Sequence, residues 1–396
     1  MSDAIGSGRQ KIHWARGHMP IQREIATRFR EERPLAGHRI GMSLHLEAKT
    51  ASLAMTLAEG GASLYVIESN PLATQDDVAA ALAETEGITV NARRGVSQEE
   101  HREHIDALLE TRPTLIVEDG GEVVERIAEV GIERFAELKG LSEETTTGVE
   151  QLLSLERDGR LPIPAIAVNS ARMKHLIDNR YGTGQSTWNA ILRATNLLVA
   201  GKQVLIVGYG WCGRGLALRA AGLGARVLVT DIDEIAAVEG LMQGYEVVSL
   251  SEGMRRADYV ITATGQPSAV GRPELEQAKD GVVLANAGHF GFEIDVTELR
   301  KMANRETVSR DGVRGFELPD GRTLYLLGEG ELVNLSVADG HPVEIMDISF
   351  ALQALSQEYL AKNADALPAK VHRVPDDIEH HVARLVLSTM SPSFLA

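Results

Sequence analysis

Short apolar runs alternate with segments of helical spacing along almost the whole chain. In the first half the runs are RIGMSLHL, ASLYVIE, ITVNA, PTLIVED and PAIAV. After residue 200 the rhythm resumes in QVLIVGYG, ARVLVTDID, YEVVSL, DYVITATG and GVVLANAG. Apolar runs of strand length, separated by amphipathic helices, predict βαβ units and hence a mostly parallel sheet covered by helices on both faces. The expectation is an α/β chain with two doubly wound, Rossmann-like domains, one over residues 1–180 and one over 181–342. The stretch MDISFALQALSQEYLAKNA is helical in pattern, so a C-terminal segment over 343–396 is expected to return to the first domain. Residues 181–200 read as a glycine-bounded loop followed by an amphipathic helix, a candidate hinge. No repeat of 20–50 residues and no low-complexity segment interrupts the pattern.

Composition narrows the class. A chain of 396 residues exceeds one typical core, and 44% hydrophobic residues suffice to fill two. The net charge of −16 opposes binding to a phosphate backbone, so no nucleic acid is expected as partner. No run of 18 apolar residues occurs, so no membrane span is expected. The first residues, MSDAIGSGRQ, lack the apolar core of a signal peptide. Cys212 is the single cysteine and can form no internal disulfide, which suits a cytoplasmic protein. No metal-ligand spacing stands out, and no metal is expected.

The stretch VLIVGYGWCGRG places Gly208, Gly210 and Gly213 in G-x-G-x-x-G spacing, after a β-branched strand and before the helix pattern LALRAAGLG. In that context the first glycine makes a tight turn, the second admits a pyrophosphate, and the third lets strand and helix pack. The helix N-terminus then faces the phosphate charge. Asp231 ends the next strand, eighteen residues past Gly213. A carboxylate there accepts from ribose hydroxyls and repels a 2′-phosphate, so NAD is favoured over NADP. The plainer alternative is a strand–turn–helix whose glycines serve packing alone. Cys212 reads as a small residue of this loop.

A second cluster stands at the end of the first strand. In LHLEAKT, His45, Glu47 and Lys49 lie two apart, a base, an acid and a cation within five residues, with Thr50 next. Strand ends are where open α/β sheets place chemistry.

Taken together, GYGWCGRG, ARVLVTDIDEIAAVEGLMQGYEVVSL, SEETTTG, NAGHF, GEGELVNL and DGHP resemble the S-adenosylhomocysteine hydrolases, from about residue 10 to about residue 390. The resemblance implies a homo-oligomer, dimer or tetramer, acting on a nucleosyl-homocysteine and keeping NAD tightly bound. It implies oxidation of the ribose 3′-hydroxyl, which acidifies the C4′ hydrogen, then elimination of homocysteine, addition of water and re-reduction. Within it, Lys174 and Asp178 act on the 3′-hydroxyl, Lys174 as the base. Four residues apart on a helix, they are expected on one face, and a desolvated lysine gives up its proton more readily. Asn169 and Asn179 position that lysine and the cofactor. His45 and Asp119 are the acid–base pair for C4′ and C5′. Glu144 binds ribose hydroxyls, and Thr145, Thr146, Thr147 and Asn334 contact NAD. His289 and His341 belong to the GHF and GHP motifs, and His341 is expected to help close over the nucleoside. Thr50 and Asn70 join the substrate-binding set.

Each of these residues has a plainer reading taken singly. Lys-x-x-x-Asp is commonly a solvated ion pair, Asp before Gly-Gly a turn residue, and Glu before three threonines a cap. Their joint occurrence in the family's order argues against those readings. The chain also departs from the family. Ser69 stands where many members have cysteine, and Asp77 where they have histidine. The ending SPSFLA lacks the lysine- and tyrosine-bearing tail that reaches a neighbouring subunit's NAD site, which leaves that contact open. In adenosine-specific members LHLEAKT is replaced by His-x-Thr-x-Glu, whose threonine and glutamate face the base. Here Glu47 and Lys49 take those places. A lysine donor and a glutamate acceptor match the C6 carbonyl and N1–H of hypoxanthine rather than the amino group and bare N1 of adenine. The expected preference is therefore S-inosylhomocysteine. The alternatives are pairing of Glu47 with Lys49 away from the base, an S-adenosylhomocysteine-specific enzyme, a non-catalytic NAD-binding regulator, and an ordinary NAD dehydrogenase.

Overall fold

The computed structural model describes residues 2–288 and 291–394. The chain divides into two compact units, Met1–His175 with Val343–Ala396, and Leu176–Pro342. Strands β1 (Arg39–Leu44), β2 (Ser63–Glu68), β3 (Ile88–Val90), β4 (Leu115–Glu118), β5 (Gly140–Glu143) and β6 (Ala165–Ala167) lie in the first unit. Strands β7 (Gln203–Val207), β8 (Arg226–Thr230), β9 (Glu246–Val247), β10 (Tyr259–Thr262), β11 (Val283–Asn286), β12 (Arg305–Arg310), β13 (Val313–Glu317) and β14 (Thr323–Leu327) lie in the second. Strand β15 (Val371–Arg373) belongs to the first unit again. The α/β class with two Rossmann-like units is as the patterning predicts.

The first unit's sheet has the order β15-β6-β5-β4-β1-β2-β3, parallel at every pairing. Helices cover both faces, so β4, β5 and β6 are buried throughout and read as apolar or small-residue runs, broken only by Glu118 and Glu143 at the ends of β4 and β5. The chain runs outward from β1 to β3, then returns to β4 on the other side of β1. The crevice at the carboxyl ends of β1 and β4 is therefore the switch point where an open α/β sheet binds ligands. The helix Val343–Asn363 joins this unit. Its buried Asp347 accepts from Ile21 N at 2.9 Å and Gln22 N at 2.7 Å, supplying the N-terminal cap that Met19 does not give the helix Pro20–Glu32. Burial pushes the Asp347 carboxyl up to about 6, against those two amide bonds.

The second sheet has the order β12-β13-β14-β11-β10-β7-β8-β9. It is parallel from β14 to β9, while β12, β13 and β14 form an antiparallel meander at one edge that the apolar rhythm does not reveal. Its switch point lies at the carboxyl ends of β7 and β10.

Residues 181–184 are not a loop. A π-helical stretch, His175–Gly182, runs directly into the α-helix Thr183–Thr195. The glycine there serves helix packing instead of a turn: a Cβ on Gly184 would meet the Gly215 carbonyl oxygen at 2.6 Å. The helix bearing Lys174 and Asp178 is consequently not regular α across the two, since it widens to π at His175. Such insertions gather at functional sites.

Candidate active site

Three side chains stand one residue beyond three neighbouring strands of the first unit. His45 follows β1, Ser69 follows β2 and Asp119 follows β4. Their strands are in register, Leu44 beside Glu68 and Ser43 beside Glu118, so the three project from one edge. His45 Nε2 lies 3.3 Å from Asp119 Oδ2. Ser69 Oγ lies 3.2 Å from His45 Nδ1 and donates to Asp119 Oδ2 at 3.3 Å. Thr50 Oγ1 donates to the His45 carbonyl at 2.5 Å and so pins the strand exit.

Glu47 and Lys49 are both buried, at 4% and 5% exposure, and pair with each other at 2.9 Å. Glu47 also caps the helix Ala48–Glu59, accepting from Lys49 N at 3.0 Å. The pairing anticipated as an alternative is thus present. Asn70 caps the short turn Pro71–Ala73 through Leu72 N, a local task that its substrate-binding expectation did not include.

Beyond β5, Glu144 Oε1 lies 3.5 Å from Lys174 Nζ, and both are buried. Gln353 of the C-terminal helix donates to Glu144 Oε2 at 2.7 Å and accepts from Ser142 Oγ at 2.5 Å. Asn169 Nδ2 donates to Thr146 Oγ1 at 2.8 Å, and Thr145 Oγ1 caps the helix that Thr146 and Thr147 begin. Glu143 was not singled out by its sequence, yet it joins two loops. Its Oε1 accepts from Gly120 N at 3.0 Å, Thr145 N at 2.9 Å and Thr145 Oγ1 at 2.9 Å. Glu118 lies beside it in register and accepts from Val123 N and Val124 N. Burial, with smaller repulsion from Glu122 and Asp119, pushes Glu118 up to about 8. Burial, then Glu118 and Asp119, pushes Glu143 well above the carboxylate range. Glu143 lies within SEETTTG, where its neighbour Glu144 carries the expected role, and the register of β4 and β5 brings it beside Glu118.

In the second unit the glycine loop follows β7. Gly208 has φ +92°, and a Cβ on Gly213 would meet the Gly208 carbonyl oxygen at 1.9 Å, so strand and helix touch through bare backbone. A Cβ on Gly210 would meet nothing within 4 Å, leaving the loop open where a phosphate would approach. Asp231 follows β8 and accepts from Tyr209 N at 2.5 Å and Asp233 N at 2.8 Å. Asn334 donates to Ser186 Oγ at 2.9 Å, while its buried Oδ1 accepts no hydrogen bond among the described residues. That oxygen is a ready acceptor for a carboxamide N–H, and a bare backbone cradle beside a strand-end aspartate suits a dinucleotide. The residues present therefore fit NAD. Asp178 Oδ1 lies 3.1 Å from His341 Nδ1, and His341 Nε2 lies 3.2 Å from Thr183 Oγ1. Cys212 Sγ donates to that Thr183 oxygen at 3.6 Å. Asn179 is buried within the π-helical stretch. His289 lies outside the described residues.

Comparison with known proteins decides the family. S-adenosyl-L-homocysteine hydrolase matches residues 2–133, and the NAD binding domain of S-adenosyl-L-homocysteine hydrolase matches residues 179–340. The chain belongs to the S-adenosyl-L-homocysteine hydrolase family. It is 51% identical to the adenosylhomocysteinase of Thermotoga maritima, over 98% of this chain and 95% of that one. It is 49% identical to the S-inosyl-L-homocysteine hydrolase of Methanopyrus kandleri, over 97% of this chain and 90% of that one. It is 47% identical to the S-inosyl-L-homocysteine hydrolase of Methanosarcina mazei, over 98% and 94%. The chain is thus an enzyme, a hydrolase of thioether bonds, and NAD is its cofactor. Among the described residues no helix is long and apolar enough to cross a membrane.

Proposed function

We propose that this enzyme hydrolyses S-inosyl-L-homocysteine to inosine and L-homocysteine in preference to the adenosine form. The observation that carries the proposal is the buried Glu47–Lys49 pair two and four residues past His45. A buried ion pair is a poor source of stability, because desolvation offsets its attraction. Its presence at a strand end beside an acid–base histidine therefore argues for recognition. An ammonium has three N–H donors and a carboxylate several lone pairs, so each can meet its neighbour and a ligand as well. With Lys49 in the family's place for the C6 substituent and Glu47 in its place for N1, the pair complements a carbonyl and an N–H. Two of the compared relatives carry the S-inosyl name, which agrees.

The catalytic assignments carry over from the family resemblance, and the contacts described above support them. NAD, when bound, supplies reversible oxidation at the ribose 3′ carbon. Lys174, held against Glu144, takes the 3′-hydroxyl proton and later returns it. Gln353 orients Glu144, which binds the ribose hydroxyls. His45 and Asp119 remove the C4′ proton and protonate the departing homocysteine sulfur, then reverse these roles as water adds at C5′. Asp178 and His341 act as a hydrogen-bonded unit on the nucleoside, and His289 keeps the catalytic role that the family resemblance gives it. Asp231, Asn334, Asn179, the glycine loop and Thr145, Thr146 and Thr147 hold the cofactor. The deciding experiment compares kcat/KM for S-inosyl- and S-adenosylhomocysteine with one enzyme preparation. A preference for inosine of roughly 10²-fold or more is expected, because a site built for one hydrogen-bond pattern leaves groups unpaired with the other. Equal or faster turnover of the adenosine form would make this an adenosylhomocysteinase and leave the hydrolase chemistry standing.

A further inference from the structure

Ser69 occupies a place that packing alone does not explain. It is the third member of the strand-end row, beside His45 on one neighbouring strand and near Asp119 on the next. Its backbone N–H donates to the Leu44 carbonyl at 3.1 Å, one step beyond the last paired residues of β1 and β2. That bond fixes where the hydroxyl can reach. Its oxygen lies 3.2 Å from His45 Nδ1 and 3.3 Å from Asp119 Oδ2, while His45 Nε2 lies 3.3 Å from the same carboxylate oxygen. The three groups close a triangle. The contacts are long for hydroxyl hydrogen bonds, as catalytic contacts commonly are before substrate draws them together.

A hydroxyl has one proton to give and two lone pairs to offer, and that arithmetic ties its orientation to the charge on His45. When the imidazole is neutral with its proton on Nε2, facing Asp119, Nδ1 is a bare acceptor and the Ser69 O–H must turn toward it. When the ring is doubly protonated, Nδ1–H becomes a donor. Ser69 then accepts from it and turns its own proton to Asp119 Oδ2. Rotation about a single C–O bond thus follows the protonation of the ring.

We propose that Ser69 is the positioning and relay residue of the His45–Asp119 pair. This rests on the acid–base roles assigned to that pair above. In the relay the imidazolium Nδ1–H bond breaks as a proton passes to Ser69 Oγ, and the serine O–H bond breaks as its own proton passes to Asp119 Oδ2. One N–H and one O–H bond are lost, and two O–H bonds form. The net result is one proton moved from a cation to an anion, with serine restored. The pair must act first as base and then as acid within each half of the reaction, and the relay resets it without bulk water. It also selects the Nε2–H tautomer of neutral His45. A thiol at this position, as in many family members, is a weaker donor, so a direct His–Asp exchange would carry more of the load there.

The test separates this role from simple support of the strand end. Ser69→Ala, Ser69→Thr and Ser69→Cys are loaded with NAD and given substrate. Two readouts are taken beside the wild type: reduction of bound cofactor, which reports 3′-oxidation, and release of homocysteine with exchange of the C4′ hydrogen for deuterium, which reports the pair. The relay predicts near-normal cofactor reduction in Ser69→Ala. It predicts exchange and release slowed about 10- to 100-fold, less than outright loss of an acid–base group, and a displaced limb in the pH profile of release. Ser69→Thr restores both, and Ser69→Cys restores them in part. Unchanged exchange, release and pH profile in Ser69→Ala would overturn the relay. So would an equal loss of oxidation and release that Ser69→Thr fails to restore, the mark of a structural role. If wild-type enzyme neither reduces its cofactor nor releases homocysteine, the functional reading fails and takes the relay with it.

Discussion

Lys174 Nζ lies 3.5 Å from Glu144 Oε1, both side chains buried, with Gln353 donating to the other carboxylate oxygen of Glu144 at 2.7 Å. The lysine proposed to handle the 3′-hydroxyl proton therefore has a fixed counter-charge, and that counter-charge is itself held by a helix from the far end of the chain. Glu143, next in sequence, is used differently. It binds backbone amides of the Asp119 and Thr145 loops. Adjacent glutamates thus differ in use, Glu143 on backbone amides and Glu144 beside a buried lysine.

Replacing Lys174 by Met tests the first of these. The variant should keep bound NAD but reduce it with substrate roughly 10²- to 10⁴-fold more slowly, the range for a lost general base. Its cofactor content, measured after denaturation, guards against misfolding caused by burying Glu144 without its lysine counter-charge. A near-normal rate of cofactor reduction would remove Lys174 from the mechanism.

Asp231→Ala bears on cofactor choice. The carboxylate that would repel a 2′-phosphate is gone, so NADP should begin to compete. The structure adds a second effect. Asp231 Oδ2 accepts from Tyr209 N at 2.5 Å within the glycine loop, so affinity should fall for both dinucleotides as that amide loses its partner. Titration of apo-enzyme with each dinucleotide measures both effects. Unchanged affinity and unchanged discrimination would show that this strand end does not meet the ribose.

A pH effect follows from a cluster away from the acid–base pair. His101 Nδ1 lies 3.1 Å from the fully buried Glu68 and its Nε2 lies 2.8 Å from Glu122, while His104 Nδ1 lies 2.8 Å from the same Glu68 oxygen. Burial alone would lower His101. Its hydrogen bonds to Glu122 and Glu68 outweigh burial and push it up to about 9. A histidine raised in the folded state stabilises fully below its unfolded value of about 6.5 and loses that contribution as pH rises through about 9. The linkage amounts to at most about 3 kcal/mol over that window. Unfolding midpoints of wild type should therefore fall more steeply between about pH 6.5 and 9 than those of His101→Gln. Parallel curves would show that the cluster does not hold a proton.

The sequence makes the parallel cores legible because strands covered on both faces read as apolar runs, as in LIV of β4 and VLA of β11, each closed by one buried polar residue, Glu118 and Asn286. It hides the meander. β12, RETVSR, is mostly exposed and carries no apolar stripe, although Asp311-Gly312 at its end is a hairpin signal that could have found it. Gly182 and Gly184 mislead in the other direction. Glycine marks turns, but Gly184 instead meets Gly215 where two helices touch. In the site, His45, Asp119 and Lys174 announce themselves by motif. Gln353 stands in no motif, and Glu143, though within SEETTTG, shows its role only through contacts across the fold, as Gln353 does 209 residues from Glu144.

The last prediction concerns the base. Glu47 and Lys49 are already paired at 2.9 Å, so neither waits free for a ligand. The pair can act as a unit, with the ammonium pre-oriented by the carboxylate and the carboxylate fixed as the cap of the helix Ala48–Glu59. Pre-orientation is what gives a polar site its discrimination, since a mismatched base leaves buried groups unpaired. Changing one member alone should damage both substrates, because the other charge is stranded in a buried site. Lys49→Glu would set two carboxylates together, and Glu47→Thr would take the carboxylate away from the buried ammonium. The double change Glu47→Thr with Lys49→Glu removes the pair and installs the threonine acceptor-donor and glutamate acceptor of the adenosine-specific pattern. It should lower kcat/KM for S-inosylhomocysteine by roughly 10²-fold and raise it for S-adenosylhomocysteine, inverting the preference. Threonine can still accept from Lys49-side amide donors at the helix start, so capping is weakened but not lost. Kinetics of the double variant with both substrates, beside each single variant, decide the matter. If the double variant loses both activities in equal proportion while remaining folded and NAD-bound, the pair is scaffold, and the base is chosen elsewhere.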